Sequence, residues 1–312
     1  MITLEDVRAA HERIKPVVRH TPLIPVQAIK QPLNYSDPLY FKLENLQVGG
    51  SFKARGAVNK LYSLPQQQIQ RGIVTASGGN HALGVSYAGW LAQAPVRIFL
   101  PHNTPQSKAD KIAAWGAEVI YEGAVWDDAN RAALACAEQD GLAYFHPFAD
   151  PMVIVGQGTL ALEILDTLPQ VDTLVVAIGG GGLISGISLT AKALKPDIRI
   201  IGVEATGAPT LYESLKADQL VELAEITTTA GTLAPRRSEQ INLDIIREHV
   251  DDIVLISDDD MIQAARWLWF EMGIAAELSG AAALAAIMTG QVTNAGTTCV
   301  LICGAGTDGI PT

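Results

Sequence analysis

Leu174-Val175-Val176-Ala177-Ile178 is an unbroken apolar run, and it ends on four glycines, Gly179-Gly180-Gly181-Gly182. Apolar residues in a row, without alternation, read as a parallel strand buried on both faces. A helical pattern follows to about Leu194, so the unit is strand, turn, helix. The same unit recurs upstream. Ile73 to Ala76 runs into Ser77-Gly78-Gly79 and a helix over Asn80 to Gln93. Val96 to Leu100 is a strand, Pro105 opens a helix that stops at Gly116, and Ala117 to Tyr121 is the next strand. Asp127 to Gln139 reads as a helix closed by Gly141, with a short strand over Ala143 to Phe145. Downstream, Met152 to Leu168 reads as a helix, and Arg199 to Val203 and Ile253 to Ile256 as strands. Ser257 caps a helix with an acidic first turn, Leu278 to Met288 is an Ala-rich helix, and Cys299 to Cys303 is the last strand. Strands alternating with helices predict an α/β fold of open, mostly parallel sheets with helices on both faces.

The chain has 312 residues, 48% of them hydrophobic and 18% charged, enough for about two domains at roughly 150 residues each. The βα run over 72–149 is expected to be a small domain inserted between the two parts, 1–71 and 150–312, of a larger domain. Such an arrangement places a ligand crevice between the lobes, beyond the carboxyl ends of the strands. The net charge of −11 leaves no cationic surplus to neutralise phosphates, which argues against a general nucleic-acid partner. No stretch approaches the roughly 20 uninterrupted apolar residues of a membrane span, and the first residues lack the pattern of a signal peptide. Cys136, Cys299 and Cys303 are an odd number in a long chain, which fits a reducing cytoplasm rather than a disulfide framework.

Four segments carry candidate chemistry. The glycine run reads either as a tight turn or as a phosphate cradle of bare amides at a helix N-terminus. Its spacing is not that of a dinucleotide fingerprint, and no P-loop is present. Lys53, in Gly50-Ser51-Phe52-Lys53-Ala54-Arg55-Gly56-Ala57, is either an ordinary snorkelling lysine or a desolvated Schiff-base amine. Ser77-Gly78-Gly79-Asn80-His81 is either a plain helix start or a site for an anion such as a substrate carboxylate. Cys303 closes a strand and reads as a buried, inert thiol. Neither His81 nor the Cys299/Cys303 pair has further ligands at metal-binding spacing, so no metal site is expected.

These segments, in this order, resemble the pyridoxal-phosphate enzymes of the tryptophan-synthase-like group, fold type II, and within it the threonine/serine dehydratase and serine racemase family. The resemblance extends over nearly the whole chain. It includes His20-Thr21-Pro22-Leu23, Lys42 to Gln47 and Gly156 to Glu163. It implies a two-lobe enzyme using pyridoxal 5′-phosphate, in which Lys53 carries the cofactor as a Schiff base. It further implies that Phe52 packs on the ring, Asn80 reaches its 3-hydroxyl, Cys303 faces its nitrogen, and Gly179, Gly180, Gly181, Gly182 and Leu183 hold its phosphate. Ser77 with the amides of Gly78, Gly79, Asn80 and His81 would take the substrate carboxylate.

The resemblance implies an ammonia-lyase acting on a β-hydroxy amino acid such as L-threonine or L-serine. The alternatives are a racemase, or a dehydratase for another β-hydroxy amino acid such as 3-hydroxyaspartate or phenylserine. A non-catalytic protein that keeps the cofactor pocket is a further reading. Racemases of the family carry a serine where this chain has Gly78, and a glycine cannot donate a proton. Several positions depart from the family pattern: Gly49, Ala230-Gly231-Thr232, Gly304-Ala305-Gly306 and Glu277-Leu278-Ser279-Gly280. The cation site of racemase-like relatives would fall on Glu204, Ala208 and Thr210, and Thr210 lacks the expected carboxylate, so no tight divalent ion is expected. Without a regulatory domain after the last strand, isoleucine feedback is not expected. A homodimer is. The Met261 to Met272 helix, with Trp267, Trp269 and Phe270, is expected to be a core helix rather than a subunit contact.

Overall fold

The strand expected before the glycine run spans Thr173–Ala177, and all five of its residues are buried. It lies inside a six-stranded sheet, where a polar face would find no water. The computed structural model describes residues 2–310. Among them ten strands form two sheets. In chain order these are Leu23–Pro25 (β1), Leu39–Lys42 (β2), Ile73–Ala76 (β3), Val96–Leu100 (β4), Glu118–Tyr121 (β5), Ala143–Tyr144 (β6), Thr173–Ala177 (β7), Arg199–Ala205 (β8), Asp252–Ile256 (β9) and Thr298–Leu301 (β10).

The larger sheet runs β1-β2-β10-β7-β8-β9, with β1 antiparallel to β2 and every other pair parallel. Val300 sits opposite both Phe41 and Val175, so the last strand wedges between one of the earliest and the middle of the chain. The smaller sheet runs β5-β4-β3-β6 and is parallel throughout. The 72–149 segment contributes all of its strands. The core beneath it also draws on Ile14, Val18, Ala54, Val58 and Leu61, from outside that segment.

The Lys53–Tyr62 and Pro151–Thr167 helices touch backbone to backbone, because a β-carbon on Gly156 would fall 2.6 Å from Gly56 Cα. Beside that crossing Arg55 is fully buried. Its guanidinium donates to Glu44 from Nε and Nη2, both at 2.8 Å, and to Glu163 Oε1 at 2.6 Å. Lys42, equally buried, donates to Glu163 Oε2 at 2.6 Å. Two cations thus face two carboxylates away from water, and each charge has its partner. The neighbouring segments 42–47 and 53–57 are locked by this quartet to 156–163, about a hundred residues further along the chain.

Most element boundaries fall within a residue or two of the expected ones. The last strand ends earlier than expected, at Leu301 rather than Cys303, because the chain there turns toward the Phe52 amide, which donates to Cys303 O at 3.3 Å. The helix expected after the Ser257 cap does begin at Asp258, and Ser257 and Asp260 form a reciprocal cap. It buries Met261, Ala264, Ala265, Trp267 and Leu268, while Trp269 and Phe270 are exposed at 41% and 54%. One flank is therefore core, as expected, and the other is open.

Candidate active site

Three loops follow the carboxyl ends of parallel strands: Gly179–Gly182 after β7, Cys303 after β10 and Ser77–Gly79 after β3. The Lys53–Tyr62 helix begins beside them. A bridge between Ser51 and Gly304 ties its approach to the end of β10. Its first turn packs against the Asn80–Ala92 helix at Gly84, where a β-carbon would lie 2.9 Å from the Lys53 carbonyl.

Lys53 Nζ donates to Pro147 O at 2.6 Å and lies 5.2 Å from the centre of the Phe52 ring. The next residue, Phe148, covers the glycine run: a β-carbon on Gly180 would strike its ring, and one on Gly182 would lie 2.6 Å from its carbonyl oxygen. The amine and the glycine turn therefore share one short segment, Pro147-Phe148. Burial lowers the Lys53 ammonium to about 8, against the opposing pull of Cys303 and Glu277. His81 and His146, both close enough to feel the Lys53 charge, are lowered to about 3 and about 4, chiefly by burial, and are neutral at pH 7. His81 Nε2 meets Phe145 O at 3.0 Å, while its Nδ1 is buried without a partner.

The glycine turn needs glycine for definite reasons. Gly181 has φ +94°, the left-handed region, and a β-carbon on Gly179 would lie 2.6 Å from Thr232 O. Neither Gly179, Gly180, Gly181, Gly182 nor Leu183 gives its amide to any acceptor among the described residues. They open the Gly182–Leu194 helix, so unpaired donors and the positive end of a helix dipole coincide.

The Ser77–His81 segment opens the Asn80–Ala92 helix in the same manner. Gly79 N donates to Ser77 Oγ at 3.2 Å, so one of the amides expected to face an anion is engaged by the neighbouring hydroxyl. Gly78, Asn80 and His81 keep free amides among the described residues. Asn80 Nδ2 donates to Glu277 Oε1 at 2.6 Å. Glu277 also accepts from Ser279 Oγ at 2.6 Å, and burial holds its carboxyl above the usual range. Cys303 Sγ lies 3.4 Å from Ser279 O, and burial pushes its thiol far up, so it stays protonated.

The expected residues thus converge from four places in the chain. Others join them that sequence reasoning had not assigned. Thr232 lies between the two helix starts, its carbonyl against Gly179 and its Cγ2 3.6 Å from where a Gly79 β-carbon would be. Glu277 and Thr232 had drawn notice only as departures from a motif. Pro147 and Phe148 carried no signal. Among the described residues no cluster of three or more His, Cys, Asp or Glu side chains could hold a metal ion, and no helix is long and apolar enough to cross a membrane.

Residues 14–304 match the sequence profile of the pyridoxal-phosphate dependent enzymes. The chain is 38% identical to an L-threonine ammonia-lyase of Thermotoga maritima over 288 residues, 92% of this chain and 71% of that one. It is 36% identical to a serine racemase of Arabidopsis thaliana over 289 residues, covering 93% and 86%. The structure of maize serine racemase superposes with a TM-score of 0.91 at 32% identity, over 97% of this chain and 93% of that one.

Proposed function

Because this chain belongs to the pyridoxal-phosphate dependent enzyme family, we propose that it is an ammonia-lyase that converts a β-hydroxy amino acid such as L-threonine or L-serine to a 2-oxo acid and ammonia. Its cofactor is pyridoxal 5′-phosphate, and the residues fit that group. A half-buried lysine whose amine has a lowered pKa stands ready for an aldehyde, and a run of unpaired amides suits a phosphate. Lys53 would hold the aldehyde carbon, Gly179 to Gly182 with Leu183 the phosphate, Phe52 one ring face, Asn80 the 3-hydroxyl and Cys303 the ring nitrogen. When bound, the cofactor supplies the electron sink for charge that develops at the substrate Cα.

The chain's own groups do the rest. Lys53, neutral in a substantial fraction near pH 8, removes the Cα proton as general base. Ser77 and the free amides at the start of the Asn80–Ala92 helix orient the carboxylate. The Cys303 thiol is neutral and a weak hydrogen-bond donor, so it withdraws less charge than a carboxylic acid partner would. A milder sink suits prompt loss of a β-hydroxyl. The observation that carries the reading is the placement of Lys53 Nζ, 2.6 Å from Pro147 O and one residue from the contact that covers the glycine turn.

Racemisation is the second reading, and one observation favours it. Gly78 offers no side chain, but the Thr104 hydroxyl stands against it, 3.2 Å from where a β-carbon would be. It has no hydrogen-bond partner among the described residues. Thr104→Val separates the two, since a racemase relying on that hydroxyl loses interconversion of the enantiomers while a lyase keeps oxo-acid release.

The test of the main reading is the visible spectrum of the purified protein together with oxo-acid release from a panel of β-hydroxy amino acids. A yellow protein that releases oxo acid, and a Lys53→Ala variant that loses both colour and turnover, are the expected results. Full turnover by Lys53→Ala would end the assignment. The chain is also read as a homodimer acting in the cytoplasm, with 72–149 as an inserted small domain. The exposed Trp269 and Phe270 and the unpaired cysteines support the first two, and the separate four-stranded sheet supports the third. Sedimentation at several concentrations checks the dimer.

A further inference from the structure

The Gly180 carbonyl oxygen points away from the cradle and is held by two side chains. Ser238 Oγ donates to it at 2.9 Å, and Asn242 Nδ2 donates to it at 2.9 Å. Both residues are completely buried, and they come from the start of the Gln240–His249 helix and the segment before it, outside every motif that marked the site. Asn242 is itself oriented, because its Oδ1 accepts from Ser185 Oγ at 3.3 Å. A β-carbon on Gly181 would lie 3.1 Å from Asn242 Cβ, so the helix presses directly on the turn.

A trans peptide points its C=O and its N–H in opposite directions. The Gly180–Gly181 peptide is trans. Holding Gly180 O toward Ser238 and Asn242 therefore turns Gly181 N–H the other way, and that amide has no acceptor in the chain. A peptide between two glycines rotates with little steric resistance, since neither residue has a β-carbon to stop it. Rotated, the same peptide would present an oxygen to an anion instead of a donor. Nothing within Gly179–Gly182 prevents this; the two buried donors do.

We propose that Ser238 and Asn242 are positioning residues for the cofactor phosphate: they keep the Gly180–Gly181 peptide in the orientation that offers its N–H to the anion. This rests on the cofactor reading above. Their effect should be confined to the phosphate and absent from the ring. It is measured by stripping the holoenzyme and titrating it with pyridoxal 5′-phosphate and, separately, with pyridoxal, which has the same ring and aldehyde but no phosphate. Ser238→Ala and Asn242→Ala should each weaken binding of pyridoxal 5′-phosphate by about tenfold, the worth of one buried hydrogen bond. Pyridoxal binding should be unchanged, and Ser238→Thr, which keeps the hydroxyl, should bind both aldehydes as the parent does.

An equal loss for both aldehydes would assign the two residues a general structural role and overturn the proposal. So would an Ala variant that binds both as the parent does. If the parent itself does not distinguish the two aldehydes, the phosphate reading of the glycine turn fails first. Ser238→Ala removes a single oxygen, so it tests the idea even where Asn242→Ala does not fold.

Discussion

Thr104 stands directly against Gly78: a β-carbon built on residue 78 would lie 3.1 Å from Thr104 Cγ2 and 3.2 Å from Thr104 Oγ1. The turn proposed to receive the substrate carboxylate is therefore bounded by a side chain from the loop after β4. Glycine at 78 and threonine at 104 fill one space between them. Gly78→Ser alone must push Thr104 back, and crowding of that kind typically costs about 1–3 kcal/mol. Thr104→Ala opens the space. Gly78→Ser is expected to lower kcat/KM, and the Gly78→Ser/Thr104→Ala double variant to recover part of the loss. A double-mutant cycle with no coupling between the two positions would contradict the contact.

Lys53 sets the second expectation. Only a neutral amine attacks an aldehyde, and burial lowers this ammonium to about 8 where an ordinary lysine stays charged to about 10.5. The rate at which the stripped protein captures pyridoxal 5′-phosphate should rise with pH and level off just above 8. Levelling near 10.5 would show a solvated amine. The same shift has a stability consequence of definite sign. Between pH 8 and 10.5 the unfolded chain binds the proton and the folded chain does not, so stability of the stripped protein should rise with pH across that window.

Arg55 is the residue whose loss the fold should tolerate least. Its removal leaves Glu44, fully buried, with no cation, and Glu163 with Lys42 and the His20 ring at 4.0 Å. Breaking a buried pair in this way costs about 3–5 kcal/mol. Arg55→Met should lower the urea midpoint by a corresponding amount with little change in the slope of the transition. A variant as stable as the parent would show that the quartet contributes nothing net.

The same residues show what could be read in advance and what could not. The β7 strand and its glycines were legible because a buried parallel strand has no polar face and a turn of bare glycines has few uses. Helix ends at Gly141 and Gly273 follow the left-handed cap that glycine favours. The strands β1 and β2 left no such mark: they are short, and Lys42 in β2 reads as a surface lysine until Glu163, from far along the chain, is placed beside it. Ser238, Asn242 and Thr104 were silent for a related reason. A hydroxyl or amide of ordinary type at ordinary spacing acquires a role only from the tertiary neighbour it meets.

Glu204 offers the last expectation. It sits near the end of β8, buried, and its carboxylate accepts from Leu211 N at 2.9 Å and Tyr212 N at 2.8 Å. Burial raises its pKa to about 8, and the two amides, which favour the charged form, offset only part of that. The sign follows from proton counting. Between the ordinary glutamate value near 4.5 and about 8, the folded chain holds a proton that the unfolded chain has released. Folding stability must then fall as pH rises through that window, by an amount on the order of a few kcal/mol if no other group compensates. Glu204→Gln keeps the shape and one acceptor oxygen for the amides but cannot ionise. Its denaturation midpoint should therefore vary less than the parent's between pH 5 and pH 8, and the two proteins should differ most at the alkaline end. Parallel pH profiles for the two proteins would mean that Glu204 does not titrate there.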